Sequence, residues 1–265
     1  MKTQVKVSGT KEWSRKSVNI MRGCSHGCLP CYAHSIEGRF KRKMDPDWRN
    51  EEIVAEWLER AGNGRPTKIM FPTTHDIPPD KIEYCLIALR RMLGRGHTVL
   101  IVSKPHIESI TRICEEFENR KLQIMFRFTI GSVHNETLRF WEPYAPLFEE
   151  RMACLQHAFS KGFKTSISCE PLWDENPDAI ISAVSPYVTD TIWIGKANRL
   201  RQNLRINGHG DPETMRRADE IIRAQNDEHI KALYARLRDN PMIRFKESIK
   251  KVVGLALPQE AGMDV

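Results

Sequence analysis

Three cysteines at C-x3-C-x2-C spacing, Cys24, Cys28 and Cys31, lie inside the stretch Arg22-Gly23-Cys24-Ser25-His26-Gly27-Cys28-Leu29-Pro30-Cys31-Tyr32-Ala33. Gly23, Gly27 and Pro30 make this run poor helix and good tight loop, because glycine and proline accept turns that other residues resist. Three thiols on one short loop can converge on a single soft metal centre. The remaining four of the seven cysteines (Cys85, Cys114, Cys154, Cys169) are scattered, as buried free thiols in a core often are. Disulfides are rare in reducing compartments, so clustered thiols favour metal or redox chemistry.

The chain around the loop alternates strand and helix signals. Ser17 to Met21 reads as a strand feeding the loop, and Asp45-Pro46-Asp47 as a helix start. Ile53, Val54, Trp57, Leu58 and Ala61 then share a helical face, closed by the segment from Gly62 to Pro66. Strands are expected at Lys68 to Phe71, Thr98 to Val102, Leu122 to Ile130, Phe163 to Cys169 and Thr191 to Ile194. Helices follow through Ile82 to Leu93, Ile107 to Phe117, Pro146 to Lys161 and Pro177 to Ser185. A long charged helix starts at Asp211-Pro212 and runs to about Arg238, and a strand-and-helix piece spans Ile243 to Val253. Six strand-then-helix units in succession imply a parallel sheet with helices outside it, in a partial, open (β/α)6 barrel of the α/β class. The expected organisation is an arm over 1–16, a barrel core over 17–210 and a helical extension over 211–265 packed on the barrel.

In such barrels the chemistry sits at the C-terminal ends of the strands. That rim would gather the cysteine loop, Thr73 to Asp76, Ser103 and Lys104, Gly131 and Ser132, Glu170, and Gly195 and Lys196. The 265 residues carry a net charge of +7, which alone favours a polyanionic partner only weakly. No apolar run approaches the roughly 20 residues of a membrane span, and the first residues lack the apolar core of a signal peptide. A soluble cytoplasmic monomer is expected.

A cluster held by three thiolates leaves one iron open to a small molecule. Cys24-x3-Cys28-x2-Cys31 followed by Tyr32 resembles the signature of radical S-adenosylmethionine (SAM) enzymes. The resemblance implies a [4Fe–4S] cluster, SAM chelated at the fourth iron, and reductive cleavage to a 5′-deoxyadenosyl radical that takes hydrogen from the substrate. It also implies a reducing partner of the flavodoxin or ferredoxin type. The fuller run from Asn19 to Ala33 is similar to the spore photoproduct lyase-like, DNA repair photolyase-like branch. So are Ser103-Lys104, Trp141-Glu142-Pro143-Tyr144-Ala145-Pro146 with Arg151, and Glu170-Pro171. Two features depart from that branch. Pro30 stands where an aromatic residue is usual, and Thr73 stands where the lyases carry a hydrogen-donating cysteine.

The resemblance implies a DNA or nucleotide substrate, most readily a thymine-derived base. Thr73 favours rearrangement or hypermodification, for example in a phage genome and so in a host cytoplasm, over repair of the spore lesion. His75, Asp76, Ser103, Lys104, Arg127, Thr129 and Glu170 are the expected SAM-binding residues. Glu170 is also a candidate partner for Arg127, while Glu142 and Arg151 could simply pair with each other. Cys169, as a late hydrogen donor, and Tyr32, as a shield or proton relay, are candidate catalytic groups, although a buried core thiol is the commoner role for the first and packing explains the second equally well. Lys196, Arg199, Arg201 and Arg205, interleaved with Asn198, Asn203 and Asn207, form a basic loop that could follow a phosphate backbone. Two alternatives stand: a radical SAM enzyme acting on a peptide or metabolite, and a zinc-stabilised nucleic-acid-binding protein with His26 or His34 as fourth ligand.

Overall fold

The computed structural model describes residues 7, 9–39 and 48–263; the helix start expected at Asp45 to Asp47 lies outside them. Its first part holds β1 (Lys16–Ser17), β2 (Met21–Arg22), α1 (Tyr32–Arg39), β3 (Glu52–Ile53) and α2 (Ala55–Glu59). There follow β4 (Lys68–Phe71), α3 (Ile82–Gly94), β5 (Thr98–Ser103), α4 (Ile107–Glu116), β6 (Ile124–Thr129), α5 (Asn135–Trp141) and α6 (Phe148–Ser160). The last part holds β7 (Lys164–Cys169), α7 (Asp178–Val184), β8 (Ile192–Ile194), α8 (Leu200–Ile206), α9 (Pro212–Ala224), α10 (Asp227–Leu237), β9 (Ile243–Phe245) and α11 (Glu247–Val253).

Seven strands make one sheet in the order β1-β4-β5-β6-β7-β8-β9. Every neighbouring pair in it is parallel. The two end strands are not paired with each other, so the barrel is partial and open between β1 and β9. The six expected units thus become seven strands, because β9 pairs with β8 through Ile192↔Ile243, Trp193↔Arg244 and Ile194↔Phe245. The segment over 211–265 therefore completes the sheet as well as covering it.

Strand periodicity sorts the core. Ile69, Phe71, Ile101, Phe126, Phe128, Ile167 and Ile194 face the helix layer, meeting Leu86 and Leu89 of α3, Ile110 and Ile113 of α4, and Leu155 of α6. Each such fully buried side chain contributes about 1.5–3 kcal/mol of apolar burial. On the opposite face Met70, Leu100 and Trp193 pack against Trp13, which the arm carries in. The arm and the C-terminal tail meet across the open side, where the Gly262 N–H donates to the Lys11 carbonyl at 2.8 Å.

Three expected elements come out differently. The first strand is split: Lys16–Ser17 joins the main sheet, whereas Met21–Arg22 pairs antiparallel with Glu52–Ile53. Ile53 is consequently strand rather than helix, and α2 begins after Val54. The long C-terminal helix breaks in two because Asn226 accepts the His229 N–H and starts α10.

Candidate active site

The cysteine loop lies between β2 and α1 and is held from three directions. Cys24 N–H donates to the Trp48 carbonyl at 2.9 Å, Ser25 N–H to Glu51 Oε1 at 2.7 Å, and Leu29 N–H to the Trp141 carbonyl at 2.9 Å. Gly23 has φ +84°, and a Cβ there would sit 2.7 Å from the Trp48 carbonyl, so the entry to the loop needs glycine for both conformation and space. From the far side, Asn207 Nδ2 donates to the carbonyls of Leu29 (2.9 Å) and Cys31 (3.0 Å), and Asn203 Nδ2 to that of Pro30 (3.4 Å). These two asparagines were expected in a phosphate-tracking loop. That segment is instead helix α8, and its asparagine side buttresses the cysteines.

The exits of β4 and β5 are fastened by one carboxylate. Asp76 Oδ1 accepts the Ile77 N–H at 2.9 Å and the Ser103 hydroxyl, while Oδ2 accepts the Lys104 N–H at 2.9 Å and lies 3.3 Å from His26 Nδ1. Burial would raise this carboxyl, but His26, Ser103 and Lys104 hold it well below the usual carboxylate range. His75 is similarly engaged: Nε2 accepts the Ile20 N–H at 3.0 Å, which leaves Nδ1 to donate to the Asp76 carbonyl at 2.7 Å. Burial pushes this imidazole down to about 4, so it is neutral at pH 7. His75, Asp76 and Ser103 were expected to bind SAM; here their polar atoms are used in joining the strand ends to one another. Asn19, which sequence reasoning named only as part of a motif, does the same work, accepting the N–H groups of Thr73 (2.7 Å) and Thr74 (2.9 Å).

Lys104, Glu142 and Arg151 form a charged group beside the loop. Glu142 is 1 % exposed; Oε2 accepts Arg151 Nη2 at 2.6 Å, and Oε1 accepts Trp173 Nε1 at 3.0 Å, with Lys104 Nζ 3.9 Å away. Burial would neutralise Glu142, but Lys104 and Arg151 keep it ionised. Burial opposes the charge on Lys104 as well, yet the Cys28 sulfur and Glu142 raise its pKa. Lys104 is thus close enough to Cys28 for each to shift the other's pKa, and its side chain is part-exposed.

Glu170 stands at the end of β7. Its Oε1 accepts Asn198 Nδ2 at 3.3 Å and its Oε2 lies 3.5 Å from Lys246 Nζ, which is also 2.7 Å from the buried Glu12 of the arm. A Cβ on Gly195 would come within 2.9 Å of the Glu170 side chain, so glycine leaves the carboxylate its place. The charge of Arg127 is answered elsewhere. Its Nε donates to Ser166 Oγ at 2.9 Å, its Nη2 lies 3.5 Å from Asp190, just before β8, and its guanidinium sits 4.5 Å from the centre of the Trp13 ring. Asp190 precedes β8, so these contacts draw Arg127 towards the opposite end of the sheet from the rim.

The other expected residues divide. Thr129 is buried and gives its carbonyl to Arg151 Nη1 at 3.1 Å. Tyr32, 44 % exposed, donates its hydroxyl to the Thr73 carbonyl and so ties α1 to the β4 exit. Cys169 is fully buried in the core cluster that also holds Ile167, two residues back on the same strand face, a setting that favours the core-thiol reading over that of a late hydrogen donor. Of the basic set, Arg201 pairs with Asp219 at 2.7 Å, while Arg199 and Arg205 are exposed and Lys196 is half-buried.

The three loop cysteines are free thiols, part-exposed at the rim. Desolvation by the surrounding protein pushes Cys28 up to about 12 and raises Cys24 and Cys31, with Lys104 working the other way at Cys28 and Cys31. Thiols so placed ionise on binding a strongly positive centre, which suits an iron–sulfur cluster. A lone zinc fits worse. Among the described residues no three Cys, His, Asp or Glu side chains gather as one ion requires. His26 Nε2 lies 2.9 Å from His106 Nε2 and its Nδ1 3.3 Å from Asp76 Oδ2, so both nitrogens of that candidate fourth ligand face partners, and His34 is stacked on Trp48. Three thiols spaced along one loop would suit a centre with more than one iron.

The family model of the radical SAM superfamily matches residues 18–182. The chain belongs to the radical SAM superfamily. Its cofactors are accordingly a [4Fe–4S] cluster and SAM, with Cys24, Cys28 and Cys31 the candidate ligands on this loop. When bound, the cluster supplies the electron for reductive cleavage of SAM. Uncharacterized protein ORF301 of Acidianus two-tailed virus is 23% identical over an alignment of 172 residues that covers 60% of this chain and 56% of that protein. The chain thus spans little more than half the length of that relative. Among solved structures, a spore photoproduct lyase mutant with bound AdoMet and dinucleoside spore photoproduct matches at 12% identity and TM-score 0.61, covering 92% of this chain and 79% of that one. Streptococcus suis SuiB bound to S-adenosylmethionine matches at 11% identity and TM-score 0.54, covering 94% and 54%. These likenesses show the shared radical SAM fold. No helix among the described residues is long and apolar enough to cross a membrane.

Proposed function

We propose that this radical SAM enzyme abstracts hydrogen from a nucleobase, a thymine-derived base in DNA above all. The observation that carries the reading is α8, which places the exposed Arg199 and Arg205 on the helix whose asparagines hold the cysteine loop. Arginines beside the mouth neutralise phosphates and position a strand, and the base then reaches the site single-stranded or flipped out. The spore photoproduct lyase structures, crystallised with a dinucleoside lesion, lend support by shared fold. Lys104, Thr129 and Glu170 are the proposed contacts to SAM, with Tyr32 closing the β4 side.

Within this reading Thr73 argues for rearrangement or hypermodification of the base. Its hydroxyl pairs with Asn19 Nδ2 at 2.9 Å, and a hydroxyl is no hydrogen-atom donor to a carbon radical. With Cys169 turned into the core, neither position offers a thiol, so hydrogen return from 5′-deoxyadenosine balances the reaction without a protein donor. The enzyme is proposed to act as a cytoplasmic monomer served by a flavodoxin- or ferredoxin-type reductant.

The test is dithionite-driven SAM cleavage screened over DNA, RNA, nucleosides and peptides. The reading expects cleavage to be stimulated by thymine-containing DNA, with deuterium placed on the base returning to product. Stimulation by peptides alone, or deuterium arriving in product from a protein thiol, would contradict it.

A further inference from the structure

Helix α8 has two chemically different sides. Towards the cysteine loop, Asn203 and Asn207 lie one helical turn apart and donate to three successive carbonyls, those of Leu29, Pro30 and Cys31. Asn207 Oδ1 is in turn 3.0 Å from Ser35 Oγ, which tethers α8 to the start of α1. Leu200 and Leu204 seat the helix in a core cluster with Leu138, Trp141 and Trp173. On the outer side stand Arg201 and Arg205, again one turn apart, with Arg199 at the N-cap in a left-handed conformation, φ +53°. Asp219 answers Arg201, and among the described residues neither Arg199 nor Arg205 has an ion-pair partner. Seven residues of helix therefore connect a surface of uncompensated positive charge directly to the carbonyls of a cluster ligand and its neighbours.

We infer that α8 couples nucleic-acid binding to cluster binding, with Asn203 and Asn207 as the positioning residues. The inference rests on the proposal that the arginine side of α8 meets DNA. A cluster on the three thiols would further restrain the loop whose carbonyls the asparagines hold, and so favour the docked placement of Asn203 and Asn207. A phosphate backbone lying across Arg205 and the exposed N-cap Arg199 favours the docked helix as well. Two ligands that favour the same placement assist each other, and linkage makes the effect reciprocal: the factor by which the cluster tightens nucleic-acid binding equals the factor by which nucleic acid stabilises the cluster.

The experiment measures binding of a fluorescent single-stranded thymine oligonucleotide to the full chain, cluster-loaded and cluster-free, at one salt concentration. The loaded form is expected to bind at least about 5-fold more tightly, the lower end of ordinary coupling between sites. Asn203→Ala/Asn207→Ala should bring the ratio to one while leaving the affinity of the cluster-free form unchanged. Arg199→Gln/Arg205→Gln should weaken both forms alike and flatten their salt dependence. As a readout a merely structural role would not move, the oligonucleotide should slow iron loss to a chelator in the wild type but not in the asparagine variant. Where that variant fails to hold iron, Asn203→Ala alone, which removes only the longest contact, should show a reduced ratio. A wild-type ratio of one, or an undiminished ratio in the asparagine variants, overturns the coupling while leaving nucleic-acid binding intact. Absence of binding to either form contradicts the nucleic-acid reading itself, and the coupling with it.

Discussion

Asp76 accepts the backbone N–H of Lys104 at 2.9 Å, joining the end of β4 to the end of β5 directly beneath the cysteine loop. The same carboxylate receives the Ile77 N–H and the Ser103 hydroxyl and lies 3.3 Å from His26, a loop residue. Asp76→Ala would strand several buried donors at once. Each unsatisfied group costs about 1–3 kcal/mol, so a large fall in stability is expected, together with poor retention of iron. Thermal denaturation of the cluster-free variant and its iron content after reconstitution check both effects. Unchanged stability would show that the carboxylate is held for a ligand instead.

Glu142 and Arg151 should behave as a buried pair. Removing one partner, as in Glu142→Gln, leaves the other charge uncompensated and is expected to cost roughly 3–5 kcal/mol. Glu142→Met/Arg151→Met should cost much less than the two single changes added together, because neither charge is then stranded. Urea denaturation of the four proteins measures that coupling, and additive losses would contradict it.

His75 predicts a pH dependence whose sign follows from its neutral state in the fold. Its pKa falls from the ordinary 6.5 to about 4, so between these values the unfolded chain binds the proton and the native chain does not. Stability is complete above about pH 6.5 and is lost as the pH falls towards 4, by up to about 3 kcal/mol from this residue. His75→Gln should flatten that part of the stability profile. A slope retained in the variant would assign it to another group.

Cys169→Ala should leave hydrogen transfer intact and lower stability by about 1–2 kcal/mol through a small cavity in the helix-facing core. Isotope tracing of the product and denaturation of the variant separate the two effects. Loss of turnover at unchanged SAM cleavage would return Cys169 to the reaction.

Much of the scaffold was legible because it depends on local pattern. The β-branched run at Thr98 to Val102 and the apolar alternation through Met125, Phe126 and Phe128 marked strands, and glycines such as Gly162 marked helix ends. The orientation of Cys169 was legible too: it shares parity with Ile167, so the two-residue strand period assigns both to one face. What local pattern cannot supply is the far partner of a polar group. Arg127 has the parity of an inward residue, but only Asp190 and Trp13, distant in sequence, decide which end of the sheet it serves. His75, Asp76 and Ser103 sit at the expected rim, yet their bonds to one another and to Ile20, Ile77 and Lys104 become visible only once the strands are side by side. Helix α8 was hidden by its composition, since a run of arginines and asparagines reads as a solvated loop until Leu200 and Leu204 find their cluster. The cysteine loop needed no distant partner to be recognised, because its chemistry lies in the spacing of three residues.

The most direct test of the account is anaerobic reconstitution with iron and sulfide, followed by dithionite reduction in the presence of SAM. The prediction is about four iron and four sulfide per chain, a broad absorption near 400 nm, and release of 5′-deoxyadenosine. All three should be lost in Cys24→Ala/Cys28→Ala/Cys31→Ala, while the cluster-free fold is kept. One tightly bound zinc per chain in place of iron, or a four-iron protein that leaves SAM intact under reduction, would contradict it.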